Sequence, residues 1–133
     1  MSGAAITLQA AAVAALKASA PGIGGVYDGP PVQAAFPYAV VECGAEGDWG
    51  HKSAVGRELR LAVTLRDAGE RPARVQQLAD QAEAALAGIG PALDGWRLVT
   101  FRFLRSRAVK ERNGSWAVMI EYRARMLEEG AAL

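Results

Sequence analysis

The clearest pattern in the chain lies at residues 58–66, where Leu59, Leu61, Val63 and Leu65 alternate with Glu58, Arg60, Ala62, Thr64 and Arg66. A period of two with one apolar side predicts a strand that buries one face and wets the other. The alternation returns at residues 115–127. There Trp116, Val118, Ile120, Tyr122, Ala124 and Met126 share one side, and Ala117, Met119, Glu121, Arg123 and Arg125 take the other. A further strand over 96–110 precedes it. Asn113-Gly114 between the two predicts a hairpin with a type I′ turn, in which both residues take positive φ.

Two segments follow the helical period instead. Over 71–87 the stripe Val75, Leu78, Ala79, Ala82, Ala85, Leu86 and Ile89 is continuous, with Arg71, Arg74, Gln77, Gln81 and Glu83 away from it. Pro72 suits the first turn, and Gly88 and Gly90 follow the end. Residues 6–20 form a second helix, stopped by Pro21 and Gly22. Its only polar positions are Thr7, Gln9, Lys17 and Ser19. A helix apolar nearly all round packs on more than one side, so one face is expected on the sheet and another against a neighbour.

Between these lie a turn-rich stretch, 22–37, in which Val26-Tyr27 pairs briefly at most, and a strand over 37–43 with Pro37 at its start, where no ladder donor is lost. A glycine-rich loop follows over 44–56. The expected order is α-β-β-α-β-β. This is an α+β fold: an antiparallel sheet of four strands, or five with a short extra one, carrying two helices on one face.

Length permits one domain over residues 1–133. Apolar residues make up 51% and many are alanine. Alanine favours helix but buries little area per residue, so the core is thin and burial against another subunit would help it. One cysteine, Cys43, allows neither an intrachain disulfide nor a zinc cluster. No basic, bulky-apolar leader opens the chain and no stretch reaches a membrane span, so synthesis in the cytoplasm is expected, with no membrane partner. The net charge of +1 hides a split: residues 1–94 carry seven Lys/Arg against ten Asp/Glu, residues 95–133 eight against four. Such polarity suits head-to-tail packing of subunits as well as nucleic-acid contact. The basic residues alternate along strands and form no dense patch with exposed aromatics, which disfavours nucleic acid as the main partner.

Candidate chemistry is sparse. The glycines of 22–29 match neither a P-loop nor a dinucleotide fingerprint. His51 is the only histidine, so any Ser-His or Cys-His relay must use it, and Cys43 in a strand reads better as a small buried hydrophobe than as the nucleophile of a Cys43–His51 pair. Glu42, Glu46 and Asp48 lack the remaining ligands of a calcium loop. No catalytic residue, cofactor or metal is expected. Trp49 stands among Gly, Asp, His and Lys, off any periodic pattern. It either folds back on the core or anchors a contact with another subunit. Arg102, Arg105, Arg107, Arg123 and Arg125 form a solvated sheet face that could meet the acidic surface near Glu42, Glu46 and Asp48 in an assembly.

Several short pieces carry a family resemblance: Val26-Tyr27-Asp28-Gly29-Pro30-Pro31, Phe36-Pro37-Tyr38-Ala39-Val40-Val41, Asp48-Trp49, Gly56-Arg57-Glu58, residues 102–107, and Tyr122-Arg123-Ala124. Together, over nearly the whole chain, they resemble the small tail-completion family of phages and prophages. That resemblance implies a tail terminator found in phages, prophages or gene transfer agents. Its fold would be an antiparallel sheet backed by two helices. It would form a hexameric ring on the last ring of the tail tube, stop tube growth and present a surface to the neck of the capsid. The implied partners are other copies of the chain, the tube protein and a neck stopper or adaptor, with nucleic acid only passing through. The interface positions expected are Asp48, Trp49, His51 and Arg57 of the loop and Arg102, Arg105, Arg123 and Arg125 of the final hairpin. Two other readings remain open from the residues: a stopper or adaptor of the same neck, and a small oligomeric ligand-binding or regulatory module, which would need a defined apolar pocket.

Overall fold

A computed structural model describes residues 3–129. Along it run α1 (Ala4–Ser19), β1 (Gly25–Asp28), β2 (Tyr38–Asp48), β3 (Gly56–Asp67), α2 (Pro72–Leu86), β4 (Ala92–Leu93), β5 (Trp96–Lys110) and β6 (Trp116–Glu128). Both helices fall where their patterns place them. In α1 the spacing Ala4, Leu8, Ala12, Leu16 is buried, while Ile6 on another side is 69% exposed. In α2 every member of the stripe from Val75 to Leu86 is buried and Pro72 opens the first turn. The two helices also pack on each other, and Gln81 of α2 accepts the Gly22 N–H just past α1.

The sheet differs from expectation. It is six-stranded, curled and mixed, in the order β1-β2-β3-β6-β5-β4, not an antiparallel sheet of four or five strands. The mixed character comes from β1, which lies parallel to β2 from Gly25↔Tyr38 to Asp28↔Val41. Parallel neighbours need a return connection, and the segment 29–37 supplies it. Its nine residues can reach about 30 Å extended, against about 13 Å for a four-residue strand. The sixth strand, β4, pairs Leu93 with Trp96 across Asp94-Gly95, where Gly95 has φ 76°. Asp-Gly between two extended pieces is a strong short-range hairpin signal.

Two local expectations are also corrected. The segment 44–56 is only in part a loop: β2 continues to Asp48, β3 starts at Gly56, and the connection is 49–55. Ala45 to Asp48 pair with Arg60 to Arg57 after a bulge at Gly44, and small residues tolerate that edge position. The β5–β6 turn is not type I′, since Gly114 (φ 88°) has positive φ and Asn113 does not. The turn closes on the Gly114 N–H to Glu111 carbonyl bond (3.0 Å), and the Asn113 side chain accepts from both the Ser115 N–H and its hydroxyl.

The core lies between the helices and one sheet face. Leu59, Leu61, Val63 and Leu65 of β3 stand opposite Ala124, Tyr122, Ile120 and Val118 of β6, all buried. This is the inner face. The helices cover β1, β2, β3 and β6 but leave most of β5 bare. Trp96 and Leu98 join the core, whereas Phe103 further along is 42% exposed, resting against the buried Tyr122 ring at 5.7 Å.

Candidate assembly interface

On the outer face, away from the helices, the register brings the arginines together. Arg60 of β3, Arg123 of β6 and Arg102 of β5 stand directly opposite one another in one row. The neighbouring rows contain their own acids. On one side Arg125 donates to Glu58 at 2.8 Å; on the other Arg105 pairs with Glu121. The hydrogen bond from Arg125 holds the Glu58 carboxyl below the usual carboxylate range. The central row has no such neighbour: among the described residues no carboxylate lies within 4 Å of Arg60, Arg102 or Arg123. The Arg123 Nε is buried without a hydrogen-bond partner. Like charges directly opposite across strands are destabilising, so this row is costly in an isolated subunit.

Two bulges in β5 create the row. Pairing slips at Val99 and again at Leu104, so Arg102, Arg105 and Arg107 share a face although strict alternation would oppose Arg102 to the other two.

The 49–55 loop meets these arginines. The Arg125 guanidinium lies 5.6 Å from the centre of the Trp49 ring, and His51 approaches the same ring edge-on at 5.5 Å. Trp49 is thus folded back, but onto the outer face and a guanidinium, not into the core. Its N–H donates to the Gly56 carbonyl at 3.0 Å. Glycine is needed at 56, because a Cβ there would overlap the Trp49 carbonyl oxygen and sit 2.8 Å from its carbon.

The other two expected positions lie elsewhere. Arg57 and Asp48 pair with each other, and Arg57 with Met126, whose side chain is in the core, so both belong to the inner face. There Arg57 bridges Glu46 at 3.3 Å and Asp48 at 3.8 Å. The sheet therefore separates Asp48 and Arg57 from Trp49, His51, Arg102, Arg105, Arg123 and Arg125. Sequence reasoning missed Arg60, which completes the row; its place in an alternating strand was visible, but its partners across the sheet were not.

The sheet also separates Cys43 from His51. Cys43 lies opposite the buried Leu61, with Sγ 3.8 Å from the Ala5 carbonyl oxygen of α1. Burial, then the nearby Glu46, push its thiol up to about 11, so it stays protonated and is no nucleophile. A wide depression of about 650 Å³ by β1 is lined by Tyr27, Pro31, Val32, Gln33, Ala34 and Tyr38, with no charged side chain in the lining.

Residues 4–127 match the family model of tail completion protein gp17. The chain belongs to that family. Its role is therefore structural, in a phage-type tail. A chain in the virion of a native gene transfer agent particle is 29% identical, with a TM-score of 0.78, covering 95% of this chain and 99% of that one. The gp17 protein of bacteriophage SPP1 is 19% identical, with a TM-score of 0.59 over 95% of this chain and 91% of that one, and so shares the fold. No curated protein matches the chain. Of the sequence expectations, the tail-completion resemblance is thereby met, and the all-antiparallel sheet is the part of it that fails.

Proposed function

We propose that this chain is a non-catalytic assembly subunit that forms a ring, hexameric in number, on the end of a phage-like tail tube. The ring stops tube growth and joins the tail to the head. The observation that carries the reading beyond family membership is the Arg60–Arg123–Arg102 row. In an isolated domain only Glu58, in the next row, draws on the charges of Arg60 and Arg123, and a partner surface bearing carboxylates would neutralise the row more fully. The Trp49–Arg125 stack beside the row adds a rigid aromatic of the kind that anchors interfaces. Assembly takes place in the bacterial cytoplasm and the subunit ends in the particle, in contact with other copies, the tube protein and the neck.

Purified protein mixed with matching tail tubes and imaged by electron microscopy tests this, with Arg123→Glu/Arg125→Glu as the comparison. Rings capping tube ends, lost in the variant, are the expected outcome. Capping that survives the charge reversal would remove the arginine face from the interface. Attachment at the portal instead of the tube would make the chain a stopper or adaptor. Attachment to neither would end the assembly reading.

A further inference from the structure

We propose that copies of this chain join by strand addition, the free edge of β5 in one copy pairing with the free edge of β2 in the next. This rests on the ring reading and names the surface that closes the ring. A strand at a sheet edge presents unpaired N–H and C=O groups, and proteins usually keep such edges short or covered. Here the two outermost strands are too short to do so. Strand β1 covers only Tyr38 to Val41 of β2, leaving 42–48 open; β4 covers only Trp96 and Arg97 of β5, and the Pro91 carbonyl accepts the Leu98 N–H at 2.7 Å, leaving 99–110 open. Among the described residues nothing else pairs along either stretch. Where β1 ends, Gln9 of α1 donates to the Val41 carbonyl at 3.0 Å, so the open edge begins at a defined point, Glu42.

The two edges are opposite in charge. Strand β5 carries Arg97, Arg102, Arg105, Arg107 and Lys110 and no acid; β2 carries Glu42, Glu46 and Asp48 and no base. Facing agrees for Glu42, which aligns through Ala62 and Glu121 with Arg105 and so lies on the outer face with Arg102, Arg105 and Arg107, whereas Glu46 and Asp48 face inward and are bridged by Arg57. Direction agrees too: β5 opposes β6, β6 opposes β3 and β3 opposes β2, so β5 and β2 run antiparallel. A rotation about an axis along the strands preserves this, and the new pair is antiparallel, the more stable ladder. On the inner side, the exposed Phe103 of β5 would come beside α1 of the receiving copy. Two different surfaces, one from each copy, make the heterologous contact that a ring requires.

The test uses the full chain and counts capped tube ends. The β5 edge is reversed by Arg102→Glu/Arg107→Glu and the β2 edge by Glu42→Arg. All three residues are exposed and outside any ion pair within 4 Å, so the fold should survive, which melting checks. Each reversal alone should lower the fraction of capped ends about tenfold, since like charges then face each other across the joint. The two reversals combined in one chain should restore capping to within about threefold of the unmodified chain, because the charges are again complementary. In a second measurement, backbone hydrogen exchange should slow on capping at 42–48 and over a stretch of matching length within 99–110. If the unmodified chain caps but the combined reversal fails to restore capping, or 42–48 stays fast-exchanging in the ring, the strand pairing is wrong and the ring reading stands. If the β5 reversal alone matters, that edge binds the tube protein and the pairing is likewise wrong. If the unmodified chain caps nothing, the ring reading itself falls.

Discussion

Arg123→Met should stabilise the isolated subunit while weakening assembly. The substitution keeps an unbranched stem on the outer face and removes only the guanidinium. Relief of a buried, unbonded Nε contributes about 1–3 kcal/mol, and removal of like charges opposite at Arg60 and Arg102 about 0.2–1 kcal/mol each. Against this, Glu58 loses part of the favourable field that Arg123 supplies. The half-buried setting on the solvent face of the sheet argues for the low end, a net gain of about 1–2 kcal/mol. For a chain of this length that raises Tm by about 3–8 °C. Urea unfolding with an unchanged m-value is the cleaner assay, because a shift in midpoint at constant slope is a change in stability alone. Capped tube ends should fall in the same preparation. A loss of about 1 kcal/mol or more in urea would refute the reasoning, since the guanidinium would then be held by contacts that stabilise the monomer.

Gly56→Ala should cost about 2–3 kcal/mol in urea unfolding, because the new Cβ overlaps the Trp49 carbonyl and breaks the closing hydrogen bond of the loop, whereas Gly47→Ala, with open space around it, should cost far less. Trp49→Ala should leave the midpoint nearly unchanged and raise the mobility of 49–55 by hydrogen exchange, since the ring covers a guanidinium and not the core. Stability should decline at alkaline pH in two steps. Cys43 and Tyr122 are both raised in the folded state, to about 11 and about 12, chiefly by burial. Raised acids contribute stability that is complete below their unfolded values and lost as pH climbs through the folded ones. Cys43→Ala should remove the earlier step and Tyr122→Phe the later, read as Tm against pH from 8 to 12. A profile unchanged by either would show that neither burial matters. Leu61→Ala, in the fully buried centre of β3, should cost about 3–5 kcal/mol by the same urea assay.

What was legible in the chain followed from periodicity. The stripes of α2, β3 and β6 are uninterrupted, and each lies buried as its spacing requires, because local alternation and global burial agree there. The parallel β1–β2 pair was not legible. Four residues between glycines carry no direction, and pairing depends on where a nine-residue return happens to lead. Gly44 and Gly47 made 44–48 look like loop, although an edge strand needs only backbone partners on one side. Asp94-Gly95 did carry the signal for β4, but the two residues before it are too few to show a period. The interface positions were mixed for a similar reason. Period two cannot see the bulges at Val99 and Leu104, and without them Arg102 would leave the outer face. Nor can it see that Asp48 and Trp49, adjacent in sequence, fall on opposite sides of the sheet.

The shortness of β1 and β4 has a bearing on the shape of any oligomer. Each is a stub that occupies one end of an otherwise open edge: β1 at the start of β2, β4 at the start of β5. In an antiparallel joint these stubs lie at opposite ends, and both resist the same movement, the one that would carry β5 towards the start of β2. A strand free to slide along its neighbour can add subunits with an axial offset, and repeated offset gives an open spiral. The stubs stop that slide from one side, and the loss of ladder bonds past Asp48 opposes it from the other; an offset held in this way at zero rise per subunit lets the last copy meet the first, where growth halts.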